Sequence, residues 1–99
     1  MAFETVIGLH VTDDDLYQKY RDGMTPILHD HGGDFGYDFK IAEVLRASTD
    51  NQINRVFTIH FPNKATMEKF FANEAYLQVR QEFFEPAVES VTRIAAYEK

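Results

Sequence analysis

The stretch FETVIGLHV, residues 3–11, decides the fold because its side chains alternate with a period of two. Such alternation is typical of a β-strand that buries one face. TDDD follows directly, and Thr12 or Asp13 can cap a helix whose acidic first turn suits the helix dipole. The odd-numbered residues form a strongly apolar face and the even-numbered residues a mixed one: Phe3, Thr5, Ile7, Leu9 and Val11 against Glu4, Val6, Gly8 and His10.

The next segment, LYQKYRDGMTPILHDH, residues 16–31, carries apolar side chains at spacings of three and four, which predicts an amphipathic helix. Pro26 cannot donate a backbone hydrogen bond to Asp22, so we expect a kink or a break near residues 22–25. Gly32-Gly33 should end the helix because glycine readily adopts the left-handed conformation of a C-cap.

Two further strands and a second helical region follow. FGYDFKIAEVLRA, residues 35–47, predicts one long strand with a bulge or bend, with Phe35, Tyr37, Phe39, Ile41 and Leu45 in phase. NRVFTIHF, residues 54–61, predicts a third strand. Asn63 should cap a second helix, residues 72–86 predict a further helix that Pro86 ends, and residues 90–98 predict the last strand.

This order of elements predicts a single α+β domain over residues 1–99. The pattern is that of a ferredoxin-like βαββαβ plait, with a four-stranded antiparallel sheet and helices on one face. The other face of the sheet, hereafter the open face, would present the half-apolar set Val6, Gly8, Val56 and Thr58. A bare face of this kind favours a partner, and the simplest closed solution is an isologous homodimer that packs sheet against sheet.

Composition excludes several classes of function. The chain has 99 residues, a net charge of −6 and no cysteine, which removes disulfides, thiolate nucleophiles and cysteine-based zinc sites. Excess acid would repel phosphate backbones, so no nucleic acid partner is expected. No apolar stretch approaches the roughly 20 residues of a membrane span. MAFETVIGLH has neither a basic start nor a long apolar core, so we expect a cytoplasmic protein without a membrane partner.

Two segments carry a resemblance to a known family. DDDLYQKYRDGMTPILHDHGGDF, residues 13–35, and VFTIHFPNKATMEKFFANEAY, residues 56–76, resemble the domain of unknown function numbered thirteen-thirty, within the dimeric α/β-barrel superfamily. That family often has an arginine soon after the two glycines and another about two turns after the tyrosine. Asp34 and Phe83 stand at those places here.

The resemblance implies a dimeric α/β barrel, with no settled activity. The wider superfamily includes cofactor-free monooxygenases, lactone isomerases and haem-dependent enzymes, so the fold alone does not select a function. No glycine-rich dinucleotide loop, phosphate loop or zinc-protease motif occurs in the chain, and we expect no cofactor.

The histidines before Gly32 are the first candidate site. Residues two apart on a helix diverge by about 200°, so His29 and His31 cannot hold one metal, and we predict no metal site. His31, which matches the family pattern, is either a ligand-binding residue or a cap on the last helical turn.

The open face offers a second candidate. Glu4 and His60 should lie near one end of that face, because the first and third strands are antiparallel neighbours in this topology. Such a pair could act as a general base, with His10 as a further candidate at the opposite end. The alternative is a polar rim of the dimer interface.

Tyr76 and Arg80 form the third candidate because they lie one helical turn apart. They could clamp a carboxylate at the mouth of a cavity, or the arginine stem could simply pack over the tyrosine. The sequence thus leaves three hypotheses: a small-molecule-binding domain, a cofactor-free enzyme of the monooxygenase or isomerase type, and a structural dimer without a ligand. An enzyme should show a cavity that contains His60 or His31, a binding domain a cavity without them, and a structural dimer no cavity beyond a few waters.

Overall fold

A four-stranded antiparallel sheet in the order β2-β3-β1-β4 forms the centre of the molecule. The computed structural model describes residues 2–99. The ferredoxin-like plait that the sequence predicted is confirmed, with one extra helical turn. Its elements are β1 Phe3–Val11, α1 Asp14–Asp30, β2 Asp34–Lys40, β3 Arg55–Phe61, α2 Lys64–Ala72, α3 Glu74–Val79, a π-helical turn Arg80–Phe84, and β4 Val88–Glu98.

The alternation in β1 sorts its side chains as predicted. β1 pairs with β3 so that Ile7 lies opposite Phe57 and Glu4 lies opposite His60. The odd-numbered side chains of both strands face the helices, and this layer is the hydrophobic core. Its largest fully buried side chains are Tyr17, Tyr76, Phe61, Phe70, Leu9, Met24 and Leu28.

Helix α1 does not break at Pro26. Asp13 caps its start by accepting a hydrogen bond of 3.0 Å from the Leu16 N–H, and the helix continues to Asp30. Of the kink or break expected near residues 22–25, the break is therefore wrong. An interior proline costs about 3 kcal/mol, but Met24 and Leu28 are buried on either side of it, and each contributes about 1.5–3 kcal/mol of burial.

The end of α1 follows the prediction. Gly32 has a φ of +73°, the left-handed conformation, and its N–H donates to the His29 carbonyl at 2.9 Å. The Gly33 N–H donates to the Leu28 carbonyl at 3.0 Å. These two bonds form a Schellman motif, which satisfies carbonyls that the helix itself leaves free.

Strand β2 is shorter than predicted, and its phase changes once. The expected strand over residues 35–47 is wrong beyond Lys40. β3 begins only at Arg55, and one further bond, from the Ile41 N–H to the Asn54 carbonyl at 2.9 Å, ends the pairing. The predicted bulge is present, since the register shifts by one residue between Phe35 and Asp38. The common phase expected for Phe35, Tyr37 and Phe39 is wrong for the same reason.

The bulge distributes β2 over both faces of the sheet. Phe35 pairs with Ile59 and Asp38 with Phe57, on the helix-covered face. Phe39 pairs with Val56 on the open face, where its ring stacks on that of Tyr37 at 5.8 Å between centroids. One strand therefore supplies side chains to both the core and the open face.

The remaining elements agree with the sequence apart from their limits. Asn63 caps α2 by accepting the Thr66 N–H at 2.8 Å, α3 and the π turn end before Pro86, and β4 begins at Val88 rather than at residue 90. Within residues 2–99, no helix has the length and apolar character needed to cross a membrane.

Candidate functional site

A cavity of about 670 Å³ lies between the helix-covered face of the sheet and the helices. Its floor comes from β1 and β3, through residues such as Ile7 and Ile59, and its roof comes from α1, α2 and α3. β4 forms one wall, where Val91 lines the cavity and is 47% exposed. The cavity therefore opens to solvent along this edge strand.

Two buried tyrosines from different helices meet in the cavity wall. The hydroxyl groups of Tyr20 on α1 and Tyr76 on α3 lie 2.9 Å apart and share a hydrogen bond. Burial raises the pKa of Tyr20 well above its usual value, and burial also raises the pKa of Tyr76. Both phenols are consequently neutral at physiological pH, where they can donate a proton to a hydrogen bond.

Arg80 lines the same cavity one turn after Tyr76. It is half-buried, and its guanidinium carbon lies 5.0 Å from the centre of the Phe84 ring. The Glu85 N–H donates to the Arg80 carbonyl at 3.0 Å, the bond that defines the π turn. Tyr76, Arg80 and Phe84 follow one another at spacings of four residues, and all three line the cavity.

A second arginine in the cavity wall belongs to a cluster of ion pairs. Arg21 is buried and donates to the Tyr17 hydroxyl at 2.8 Å and to Asp38 at 3.2 Å. Asp38 also accepts two hydrogen bonds of 2.8 Å from Arg55. Burial would raise the pKa of Asp38, but the two arginines outweigh burial and hold it below its usual value. The cluster thus joins two cations to one anion.

The predicted catalytic residues lie outside the cavity. Glu4 and His60 are opposite neighbours on the open face, as expected. Glu4 accepts hydrogen bonds from the Tyr97 hydroxyl and, at 3.3 Å, from Lys99, and the Tyr97 bond is the main reason that the pKa of Glu4 is lowered. The Nδ1 atom of His60 is buried and has no hydrogen-bond partner among the described residues.

The other two histidine candidates have local partners. His10 lies at the far end of the open face, with its Nδ1 atom 3.3 Å from the Glu89 carboxylate. The His31 ring lies edge-on to Phe70, and its Nδ1 atom is 2.8 Å from the Ile27 carbonyl, the contact of a helix cap. His31 does not line the cavity, so only Tyr76 and Arg80 among the predicted ligand-binding residues do.

Sequence reasoning missed Tyr20, Arg21 and Arg93 as cavity residues. Both Tyr20 and Arg21 belong to the stretch that resembles the family, and Tyr20 also falls on the apolar stripe of α1. Neither signal indicated a cavity. Arg93 is an exposed residue of β4 whose side of the sheet could not be read, because the register shifts between Val6 and Ile7. Across residues 2–99, no three His, Cys, Asp or Glu side chains are grouped closely enough to hold a metal ion.

A family model described as a domain of unknown function, DUF1330, matches residues 5–96. No curated protein matches the chain significantly. Among solved structures, a protein of unknown function from Rhodopseudomonas palustris superposes with a TM-score of 0.79 at 16% identity, covering 99% of this chain and 82% of the other.

Two further structures share the fold at lower identity. A dabb family protein with a ferredoxin-like fold from Mesorhizobium loti has a TM-score of 0.68 at 13% identity, covering 99% of this chain and 96% of the other. A dimeric ferredoxin-like protein of unknown function from Jannaschia sp. CCS1 has a TM-score of 0.62 at 8% identity, covering 100% of both chains. At these identities the likeness concerns the fold alone.

Proposed function

We propose that this chain, which belongs to the DUF1330 family of domains of unknown function, binds a small organic molecule in the cavity between sheet and helices. The cavity itself carries the proposal. A volume of about 670 Å³ is that of an ordinary ligand site, which ranges from about 300 to 1,000 Å³.

The lining supports binding of a largely apolar molecule. Aliphatic and aromatic side chains make up most of it, including Met24, Met67 and Phe71, and a few polar groups interrupt it at defined places. Apolar walls with a small number of placed polar groups are typical of small-molecule sites, where the polar groups fix the orientation of the ligand.

The lining contains no histidine, which favours binding over general acid–base catalysis. The alternative, a cofactor-free monooxygenase or isomerase using His60, Glu4 or His10, needs a different cavity on the open face. Replacing His60 separates the two hypotheses. If the binding proposal is right, His60→Ala leaves affinity in the helix-side cavity unchanged.

Native mass spectrometry of the freshly purified protein, first under gentle and then under denaturing conditions, is the direct test. We expect an extra mass that denaturation releases. The neutral probe 2-naphthalenemethanol, titrated calorimetrically into protein freed of that mass, should bind as well. Val91→Trp should prevent binding of both the co-purified molecule and the probe, because Val91 lies at the open edge of the cavity. Val44→Trp, at a residue outside the cavity, should leave binding of both unchanged. If the purified protein carries no extra mass and also fails to bind 2-naphthalenemethanol, the proposal is refuted.

We further propose that two copies associate through the open face. Tyr37 and Phe39 are 67% and 51% exposed there. Two adjacent aromatic rings in contact with water are unfavourable in a monomer, and a second copy would bury them. The buried, unpartnered Nδ1 atom of His60 lies on the same face. Because the cavity lies on the other side of the sheet, such a dimer leaves the cavity accessible.

A further inference from the structure

We infer that the ligand of this cavity is an organic carboxylate with an apolar, ring-sized body, held by Arg80 and the Tyr20–Tyr76 hydroxyl pair; this rests on the proposed binding function. The polar groups of the lining divide unequally into hydrogen-bond donors and acceptors. Most of these groups are donors, from three arginines and two tyrosines, and Glu68 is the one carboxylate among them.

The tyrosine pair has a hydrogen to spare. Two phenols carry two hydroxyl hydrogens, and their mutual bond of 2.9 Å uses one of them. The Arg80 guanidinium also lies within hydrogen-bonding reach of the Tyr76 hydroxyl, but it is a donor, so it uses neither hydroxyl hydrogen. Both residues are buried and line the cavity, and no protein acceptor for the second hydrogen is found among residues 2–99. A ligand oxygen would satisfy it.

Arg80 adds charge to this donor site. It makes no ion pair within 4 Å of a carboxylate in the described part of the chain, although the chain as a whole is strongly acidic. Its guanidinium packs against Phe84, which fixes it at the cavity wall. The planar fork of an arginine matches the two oxygens of a carboxylate better than any single-point acceptor.

The remaining charges of the lining also favour an anion. Of the Arg21–Asp38–Arg55 cluster only Arg21 lines the cavity, and it shares the single carboxylate of Asp38 with Arg55. Arg93 adds another cation at the β4 wall, and Glu68 is the one lining carboxylate, on the exposed side of α2. A positive cavity in a chain of net charge −6 attracts organic anions and disfavours cations.

The apolar walls restrict the class further. The volume beside Met24, Met67 and Phe71 greatly exceeds that of an inorganic anion, and bare phosphate or sulfate would leave these side chains against water. An aromatic or alicyclic carboxylate fills the apolar part with its ring and places its charge at Arg80.

The test compares 2-naphthoate with 2-naphthalenemethanol, which has the same ring system and no charge, by titration calorimetry at pH 7. We expect wild type to bind the carboxylate at least about tenfold more tightly, since charge-assisted hydrogen bonds are the stronger kind. Arg80→Gln should lower naphthoate affinity about tenfold and leave naphthalenemethanol within about twofold. Arg46→Gln, a loop arginine outside the cavity, is the matched control and should change neither affinity.

Two outcomes would overturn the inference while leaving the binding function intact: equal affinities for both probes, or an Arg80→Gln variant that binds naphthoate like wild type. Failure of both probes, together with no bound mass in the purified protein, would instead refute the binding function. The double variant Tyr20→Phe/Tyr76→Phe provides a second reading if Arg80→Gln folds poorly, because a single remaining hydroxyl would keep one free hydrogen. The double variant should weaken naphthoate binding several-fold with circular dichroism unchanged, and unaltered naphthoate affinity in it would exclude the tyrosine pair.

Discussion

Asp38 is the carboxylate on which two arginines depend, and its loss should destabilise the protein. Replacing Asp38 with Asn leaves the buried Arg21 without its counter-ion, at a cost of about 2 kcal/mol. Chemical denaturation at pH 7 measures this loss. Asp50→Asn, an exposed loop position, is the control and should stay within about 0.5 kcal/mol of wild type.

The same carboxylate predicts a pH dependence. The pKa of Asp38 is lower in the folded protein than in the unfolded chain, because the two arginines outweigh its burial. The resulting stabilisation is complete above the unfolded pKa, about 3.9, and is lost as pH falls through the lower folded value. The difference in melting temperature between wild type and Asp38→Asn should therefore be constant near neutrality and shrink below about pH 4. A difference that grows on acidification would contradict this assignment.

Single residues were predictable from the sequence where regular spacing governs them. Tyr76 and Arg80 share the cavity because one turn of helix separates them, and Glu4 meets His60 because antiparallel pairing fixes their register. Asp38 was not predictable, because nothing in the local alternation shows that a bulge turns its side chain to the helix-covered face.

At the scale of elements, the junction between α1 and β2 depends on Gly32. Its φ of +73° is strained for a residue with a Cβ atom, and such an atom would lie 2.9 Å from Cγ of Pro62. Gly32→Ala should therefore lower the free energy of unfolding by about 1–2 kcal/mol, measured by chemical denaturation. Gly32→Asn is the matched comparison and should lose less, because asparagine tolerates the left-handed conformation. An alanine variant as stable as wild type would exclude this role.

Element types were easier to predict than element limits. The alternation of β1 and β3 and the stripe of α1 follow from burial on one face, which the sequence records directly. The end of β2 does not follow from the sequence in this way. The alternation of apolar residues continues past Lys40, whereas pairing with β3 stops there. Helix α1 continues through Pro26 because its packing on the core outweighs one missing hydrogen bond. Sequence-local propensities do not include the energy of that packing.

At the scale of the whole molecule, the open face should control association. Phe39→Asp places a charge among the exposed aromatic residues of that face, and we expect the dimer dissociation constant to rise at least about tenfold. Light scattering across a dilution series measures this. Leu45→Asp, an exposed apolar residue of the loop between β2 and β3, is the control and should leave assembly unchanged. A wild-type chain that stays monomeric at high micromolar concentration would rule out the proposed dimer.

The bulge of β2 has a consequence for comparing relatives of this protein. Between Phe35 and Asp38 the strand carries one residue more than β3 opposite it. A relative that lacks this residue would pair with β3 in regular alternation, without a bulge. The equivalents of Asp38 and Phe39 would keep their faces, because the shift in register compensates for the missing residue. A one-residue gap in a sequence alignment at this place therefore preserves which side chains lie on each face, whereas a one-residue gap later in the strand would exchange them.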